Sequence, residues 1–211
     1  MKPYALILAN GDPPKKHLLR SLVSKAALIV CADGGANTAL KFGVKPGAIV
    51  GDMDSIHAEA LVRFRKIQMV EDRDENSTDL EKAIQWTVKQ KYERIVVTGV
   101  TGRRLDHTIG NLGVLPKFHS DASITFVDDQ GELSYVGREI QIDSPRGTVV
   151  SLIPITRCEG VETVGLEYAL NNESLELGVR EGTSNVVVSS PASVKVKKGK
   201  LLLYTVTPTR Q

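Results

Sequence analysis

Short apolar segments alternate with amphipathic segments over the first 127 residues of the chain. The apolar segments predict six β-strands, at residues 4–8, 28–31, 48–50, 67–70, 94–97 and 124–127. Apolar residues between them recur at helical spacing, at Leu18, Leu19, Leu22 and Val23, at Leu80, Ala83, Ile84 and Val88, and at Ile109, Leu112 and Leu115. Thr78 followed by Glu81 has the spacing of a capping box and predicts the start of one helix. This order is typical of an α/β domain with a mostly parallel six-stranded sheet and flanking helices.

The pattern changes from about residue 137 onward. Helical spacing is absent there, and short β-rich segments predict strands at residues 148–153, 175–177, 185–189 and 200–205. Gly, Pro and Asn separate these segments. We therefore predict a small antiparallel β domain, either a half-sandwich or a barrel. The predicted domains are residues 1–136 and residues 137–211.

The bulk properties narrow the classes of function. The 211 residues include 27 basic and 25 acidic side chains, a formal net charge of +2, which gives no reason to expect a nucleic-acid partner. Cys31 and Cys158 have no neighbours at zinc-ligand spacing, so we expect both to be reduced and buried. The first apolar run spans about six residues, too short for a signal peptide or a membrane span. We expect a cytoplasmic protein without a membrane partner.

Glycine and polar residues concentrate where the predicted strands end. The clusters are Asn10 and Gly11; Asp33, Gly34, Gly35, Ala36 and Asn37; Gly51, Asp52, Met53, Asp54 and Ser55; residues 74–79; residues 99–107; and Asp128 with Asp129. In an open parallel sheet the carboxyl ends of the strands share one edge, where ligands bind. Turns alone also attract Gly, Asp and Asn. The same bias in several loops predicts a binding cleft at this edge.

Three aspartates of these loops suggest a metal site. Asp52 and Asp54 stand two residues apart in a tight loop, and Asp79 lies at a predicted helix start. Carboxylates without His or Cys suit Mg²⁺, which prefers sites shared with substrate phosphates. The alternative is that Asp52 caps a turn and Asp54 or Ser55 caps the next helix. We predict that the three acids bind Mg²⁺ together with a nucleotide phosphate.

The loop after the fifth predicted strand has residues suited to phosphate. Gly99 and Gly102 allow close backbone approach, and Arg103 and Arg104 offer donors to phosphate oxygens. The loop is not a Walker A motif, because no Gly-Lys-Ser or Gly-Lys-Thr follows. Asp106 near Arg104 strengthens the prediction, and its alternative is a surface ion pair between these two side chains.

Small residues also follow the second predicted strand. Gly34, Gly35 and Ala36 predict that a planar or bulky ligand approaches the backbone there. The alternative is a left-handed turn. His107 is expected to cap or pack rather than bind metal, because no second histidine stands at ligand spacing.

In their order along the chain, these motifs resemble those of the thiamine pyrophosphokinases. The matching segments are Asn10-Gly11, Cys31-Ala32-Asp33-Gly34-Gly35-Ala36-Asn37, Gly51-Asp52-Met53-Asp54-Ser55, Ser77-Thr78-Asp79, Gly102-Arg103-Arg104-Leu105-Asp106-His107 with Asn111, and Gly182-Thr183-Ser184-Asn185. The resemblance spans most of the chain and is specific as a set. It implies an α/β catalytic domain joined to a C-terminal antiparallel β-sandwich that binds thiamine. It also implies a homodimer whose thiamine sites lie at the subunit junction.

The same resemblance implies a reaction and a role for each motif. The reaction is the Mg²⁺-dependent transfer of the pyrophosphoryl group of ATP to the hydroxyl of thiamine, with release of AMP. The catalytic residues would be Asp33, Asp52, Asp54 and Asp79, of which the last three would bind the metal. ATP would contact Asn10, Gly11, Asp33, Gly34, Thr78, Gly99, Gly102, Arg104, Asp106 and His107. Thiamine would contact Asp54, Asp79, Ser184 and Asn185, although spacing alone favours a plain β-turn for the last two.

Two positions depart from the family pattern, and two other functions stay open at this point. Asn76 stands where the family usually has an acid, and Arg103 where it has a glycine; the Arg103 side chain either contacts phosphate or faces solvent. A related pyrophosphokinase for another hydroxymethyl heterocycle, such as a pterin, would use the same phosphate residues. A nucleotide- or thiamine-binding regulator is the non-enzymatic alternative, and retention of the three metal-site aspartates argues against it.

Overall fold

The computed structural model describes residues 3–207. The chain forms two compact units, the first ending at Asp129 and the second beginning at Gln130. The sequence predicted a boundary after residue 136, whereas the strand Gly131–Tyr135 pairs with the strand Leu201–Val206 of the second unit. This pairing places the strand in the second unit. Within residues 3–207, no helix combines the length and the apolar character needed to cross a bilayer.

The described part of the first unit alternates strands and helices. Its elements are β1 (Tyr4–Leu8), α1 (Lys16–Lys25), β2 (Ala26–Ala32), α2 (Gly35–Phe42), β3 (Ala48–Gly51), α3 (Ala58–Arg63), β4 (Gln68–Glu71), α4 (Asp79–Lys89), β5 (Arg94–Thr98), α5 (Leu105–Leu112), α6 (Val114–Lys117) and β6 (Ser123–Val127). The strands pair in parallel in the order β6-β5-β1-β2-β3-β4. The predicted α/β class is therefore confirmed, with strands close to their predicted positions.

The centre of this sheet is almost completely buried. All residues of β1 are buried, and Leu6 and Leu8 pack with Leu19 of α1 and Ile49 of β3. Burying one large aliphatic side chain contributes roughly 1.5–3 kcal/mol relative to leaving it exposed. The packed centre therefore gives the loops at the carboxyl ends of the strands a firm base.

The capping box predicted at the start of α4 is present. The backbone N–H of Glu81 donates to Oγ1 of Thr78 at 3.3 Å, and the N–H of Thr78 donates to Oε2 of Glu81 at 3.2 Å. Leu80, Ala83 and Ile84 are buried on one face of the helix. Together the cap and the buried face fix where α4 begins, at Asp79.

The second unit consists of antiparallel strands. They are β7 (Gly131–Tyr135), β8 (Glu139–Ile142), β9 (Val149–Pro154), β10 (Cys158–Val164), β11 (Glu173–Leu175), β12 (Gly182–Val186), β13 (Ala192–Lys195) and β14 (Leu201–Val206). They pair as two groups, in the orders β12-β9-β14-β7 and β11-β10-β13-β8. Val150, Leu152 and Leu203 from the first group form one core with Val161 and Val194 from the second. Two antiparallel layers over a common core make this unit a β-sandwich.

Candidate active site

A cleft of about 990 Å³ opens at the carboxyl edge of the parallel sheet. Most residues that the sequence predicted for the site line it: Asn10, Gly11, Asp52, Asp54, Thr78, Asp79, Gly99, Gly102, Arg104, Asp106 and His107. They come from the loops after β1, β3 and β5 and from the starts of α4 and α5. The structure thus brings distant parts of the first unit to one place.

Asp33 is buried next to this cleft rather than on its wall. It follows β2 in the left-handed region, with φ 41°, and its N–H donates to the carbonyl of Val50 at 2.8 Å. Its Oδ2 accepts from the N–H of Ser55 at 3.2 Å. Its Oδ1 is buried and has no hydrogen-bond partner among residues 3–207. A buried carboxylate oxygen in this state is costly unless a donor or cation reaches it.

Four carboxylates gather around the end of β3. Asp33, Asp52 and Asp54 each offer one oxygen within 4.8 Å of the others. Asp79 adjoins this group: a Cβ added to Gly51 would lie 2.7 Å from Cβ of Asp33 and 3.0 Å from Oδ1 of Asp79. Only a residue without a side chain leaves room for both acids there. The three acids whose oxygens lie within 4.8 Å of one another are therefore Asp33, Asp52 and Asp54. Asp79, which the sequence predicted as the third metal ligand, lies beside them.

The local sequence after β3 explains how Asp52 and Asp54 face the same region. The N–H of Asp54 donates to Oδ1 of Asp52 at 3.3 Å, which closes a short Asx turn. Met53, between them, has φ 70°. Ser55 donates from its hydroxyl to Oδ1 of Asp54 at 2.9 Å. The chain reverses within this turn, so both carboxylates can serve one site.

The acids of the group disfavour one another's charge. Burial raises the pKa of Asp33, a hydrogen bond from Ser55 opposes this, and the charges of Asp79 and Asp52 raise it further. Burial also raises the pKa of Asp79, followed by the charge of Asp52, while Lys82 lowers it. Crowded acids with raised pKa values are typical of sites that receive a cation.

The loop after β5 combines turns that need glycine with an ion pair. Gly99 and Gly102 have φ 75° and 85°, and a Cβ at Gly102 would overlap the carboxylate of Asp12. Arg104 donates from Nε to Oδ1 of Asp106 at 3.1 Å and from Nη2 to Oδ2 at 2.5 Å. This partner holds the pKa of Asp106 at about 2. Both side chains are exposed, so the Arg104 guanidinium is accessible to a phosphate at the cleft.

The glycines after β2 accommodate protein atoms. A Cβ at Gly34 would overlap the side-chain amide of Asn10, and one at Gly35 would overlap the carbonyl of Leu8. Neither glycine lines the cleft. These small residues let the start of α2 pack against the end of β1, and the sequence interpretation that they also admit a ligand stays a prediction.

Two cationic residues at the cleft were missed by the sequence analysis, Arg73 and Lys82. Lys82 is only 5% exposed, and its Nζ lies 3.5 Å from Oδ1 of Asp79. The signal was present in the sequence, because a lysine stands among the apolar residues of the buried face of α4. Charged residues are rarely buried unless they are paired or functional.

The two predicted residues of the second unit differ in exposure. Ser184 is exposed on β12 with φ 59°, and its N–H donates to Oγ of Ser151 at 3.0 Å. Asn185 is buried; its Oδ1 accepts from the N–H groups of Tyr168 and Val186, and its Nδ2 donates to the carbonyl of Tyr168 at 2.8 Å. The Asn185 amide thus supports the backbone of its own unit.

Fold and site together define a class of enzyme. The carboxyl edge of the parallel sheet holds grouped carboxylates and several cationic side chains in one cleft. This arrangement is typical of a nucleotide-dependent phosphotransferase. Residues 19–127 match the family described as the thiamin pyrophosphokinase catalytic domain, and residues 138–201 match the thiamin pyrophosphokinase vitamin B1 binding domain. The chain belongs to the thiamine pyrophosphokinase family.

Individual relatives agree with this assignment. The chain is 32% identical over 234 residues to thiamine pyrophosphokinase 2 of Arabidopsis thaliana, covering 97% of this chain and 86% of that protein. It is 32% identical over 216 residues to thiamin pyrophosphokinase 1 of Caenorhabditis elegans, covering 95% and 87%. The crystal structure of thiamine pyrophosphokinase from Bacillus subtilis superposes with a TM-score of 0.83 at 26% identity, covering 99% and 100% of the two chains. These relatives give no support to the pterin alternative.

Proposed function

We propose that this protein transfers the pyrophosphoryl group of ATP to the hydroxyl of thiamine, with thiamine diphosphate and AMP as products. The observation that carries the proposal is the group formed by Asp33, Asp52 and Asp54, whose oxygens lie within 4.8 Å of one another beside the cleft. Such a group suits a triphosphate that arrives with its divalent cation. The relatives' name describes the same activity.

The proposed cation is Mg²⁺, held by Asp52, Asp54 and Asp79 with Asp33 next to them. The donor set fits this ion, because it consists of hard carboxylate oxygens without His or Cys. The buried Oδ1 of Asp33, without a partner in the described chain, supports the same fit. When bound, Mg²⁺ would supply positive charge to the phosphate oxygens of ATP.

In the proposed transfer, the thiamine hydroxyl oxygen bonds to the β-phosphorus of ATP and gives up its proton to a nearby aspartate carboxylate of the cleft. The bond from that phosphorus to the α–β bridging oxygen breaks, and AMP leaves. Lys82, buried at the cleft, and Arg104, exposed at its rim, offset the negative charge that grows on the departing oxygen. Positioning and charge suffice for this chemistry, so no covalent intermediate with the protein is needed.

The ATP assignments follow the loops of the cleft. Cleft-lining residues proposed to contact ATP are Asn10, Gly11, Thr78, Gly99, Gly102, Arg104, Asp106 and His107. Asp33, which is buried next to the cleft, would act on the ATP phosphates through the metal site. Gly34 would act indirectly, through its packing against the side chain of Asn10.

The thiamine assignments follow the motifs that the sequence predicted. We propose that thiamine contacts Asp54 and Asp79, and that it also contacts Ser184. Ser184 supports this role through its exposure. Asn185 would hold the strand that presents Ser184, because its amide is already bonded to backbone groups of Tyr168 and Val186.

We further propose a cytoplasmic homodimer with thiamine sites at the subunit junction. Helix α5 has no buried residue, and Leu105 and Ile109 on one of its faces are 73% and 61% exposed. An apolar helix face left in water is typical of an interaction surface. Sedimentation velocity at micromolar concentration measures the oligomeric state, and a stable monomer would contradict the dimer.

The decisive experiment is to identify the adenine nucleotide that the reaction releases. Purified protein is incubated with Mg-ATP and thiamine, and products are separated by chromatography; reactions without thiamine control for ATP hydrolysis. We expect AMP and thiamine diphosphate in equal amounts. ADP would indicate a simple kinase, and AMP formed with a hydroxymethylpterin but not with thiamine would indicate the other acceptor.

A further inference from the structure

Four cationic side chains line the cleft of the first unit: Arg73, Lys82, Arg103 and Arg104. Three of them lie within 4.0 Å of carboxylates, which are Glu71, Asp79 and Asp106 respectively. Arg103 differs, because within residues 3–207 it has no carboxylate at that distance and bonds only to a neutral amide. Its positive charge is therefore the least compensated of those at the cleft.

The guanidinium of Arg103 is held across two neighbouring loops. Its Nη1 donates to Oδ1 of Asn10 at 3.0 Å, which joins the loop after β5 to the loop after β1. Backbone bonds tie the same loops together, since Gly11 N–H donates to Gly99 O at 2.7 Å and Asp12 N–H donates to Thr101 O at 2.8 Å. This bond holds the Arg103 guanidinium at the wall of the cleft. The guanidinium has further N–H groups that can donate hydrogen bonds to a ligand.

The backbone at this position would accept glycine more readily than arginine. Arg103 has φ 54°, in the left-handed region, where a side chain costs free energy and glycine does not. A non-glycine residue in this conformation at the rim of a binding cleft is a sign that its side chain has a use there.

We propose that Arg103 binds the phosphate chain of ATP at the end of the cleft formed by the loops after β5 and β1. This inference rests on the proposed function, and it adds a substrate contact at one of the two positions that depart from the family pattern. The sheet order β5-β1-β2-β3 places Arg103 on the β5 and β1 side of the cleft and the group of Asp33, Asp52 and Asp54 on the β2 and β3 side. A phosphate chain lying across these neighbouring strands would contact both the Arg103 guanidinium and the metal held by the acids.

The test compares Arg103→Gly with Lys91→Gly. Lys91 is a matched control, because it is an exposed cation with φ 68° that does not line the cleft. Both changes remove one positive charge and relieve the same backbone conformation. Neither variant should have a lower Tm than the parent. A third variant, Arg103→Lys, keeps the charge but loses the fork of donors.

Binding is measured by calorimetry with two probes, ATP and adenosine. A charge-assisted hydrogen bond to phosphate predicts that Arg103→Gly weakens ATP binding about tenfold to a hundredfold. Adenosine binding should not change, Arg103→Lys should fall between, and Lys91→Gly should match the parent. Equal ATP affinity in Arg103→Gly and parent, or an equal loss of adenosine binding, would overturn the proposal. The comparison needs no turnover, so it is separate from the test of the reaction itself.

Discussion

Gly35 offers a sharp test of how the fold positions the candidate site. It is the first residue of α2. Replacing glycine by alanine inside a helix raises helix stability by about 1 kcal/mol, so the gain at this first position is at most about that. Here an added Cβ would overlap the carbonyl oxygen of Leu8 and lie 2.8 Å from its carbon, and real Cβ contacts essentially never fall under 3.0 Å. We therefore predict that Gly35→Ala destabilises the protein.

The size of the effect follows from which atoms must move. The Leu8 carbonyl belongs to β1, whose residues are all buried, so no side-chain rotation relieves the overlap. The start of α2 must move away from β1 on the order of 1 Å, and forced overpacking of this kind costs about 1–3 kcal/mol. Because the rigid backbone places the cost at the upper end, we expect a net loss of about 1–2 kcal/mol after the helix gain.

The same displacement reaches the carboxylate group. Asp33 lies two residues before Gly35, and its carbonyl accepts from the N–H of Ala36 at 3.0 Å. A shift of α2 therefore moves Asp33 relative to Asp52 and Asp54. Misplacement of a site residue by about 1 Å can cost up to a hundredfold in rate, so we expect turnover to fall at least about tenfold.

Urea unfolding followed by the fluorescence of Trp86 reports on the first unit, because Trp86 lies on α4 and the chain has one tryptophan. Gly110→Ala is the stability control: Gly110 lies inside α5, and an added Cβ would meet no atom within 4 Å. This control should gain about 0.5–1 kcal/mol. A Gly35→Ala protein as stable as Gly110→Ala would refute the steric reasoning.

Three further predictions concern charge and protonation. Asp54→Asn removes a charged oxygen from the carboxylate group, so turnover should fall at least about tenfold and require a higher Mg²⁺ concentration. The control Asp121→Asn, at an exposed position, should match the parent in turnover and in Mg²⁺ requirement. Equal Mg²⁺ titrations of Asp54→Asn and parent would contradict the metal assignment. Lys82→Met should lower kcat without lowering Tm, because burying the Lys82 ammonium costs folding free energy and its partner Asp79 is 35% exposed. A lower Tm at unchanged kcat would show that Lys82 stabilises the fold and has no part in the reaction. Burial raises the pKa of the Cys31 thiol and raises that of Cys158 to about 11, so both thiols should resist labelling at pH 8 until urea unfolds the chain. Because the unfolded chain ionises its thiols at lower pH than the folded chain, stability should fall as the pH rises from about 9 towards 11. Rapid labelling of the folded protein at pH 8 would contradict this prediction.

The parallel sheet could be predicted because its strands are buried on both faces. Such strands read as continuous apolar segments, as Tyr4–Leu8 and Arg94–Thr98 do. The strands of the second unit follow a weaker pattern, and four of them were not predicted: β7, β8, β10 and β13. In β10, Gly160 interrupts the strand with φ 64°, and partly exposed residues separate the three buried ones. Short strands of this kind depend on partners distant in sequence, which spacing alone does not reveal.

The loops of the cleft were predictable as a set, but the direction of each side chain was not. Gly34 and Gly35 occur next to an acid in a loop at a strand end, which is equally consistent with a ligand or with a close protein contact. The contact depends on Leu8 and Asn10 of another loop. Likewise, Lys82 belongs to the site because α4 turns its face toward Asp79. Such facts arise from tertiary packing, which local sequence does not encode.

Backbone strain is concentrated where the candidate chemistry lies, and this links the fold to the function. Of the six non-glycine residues with positive φ in residues 3–207, four lie in site motifs: Asp33, Met53, Arg103 and Ser184. Positive φ ordinarily favours glycine, so a prediction of backbone conformation from residue type is wrong at these four positions. Strained positions persist when the surrounding structure holds them and the side chain is needed there. Asp33 shows such support, because its N–H donates to the carbonyl of Val50 at 2.8 Å and its Oδ2 accepts from the N–H of Ser55 at 3.2 Å. Arg103 is likewise held by its hydrogen bond to Asn10 at 3.0 Å.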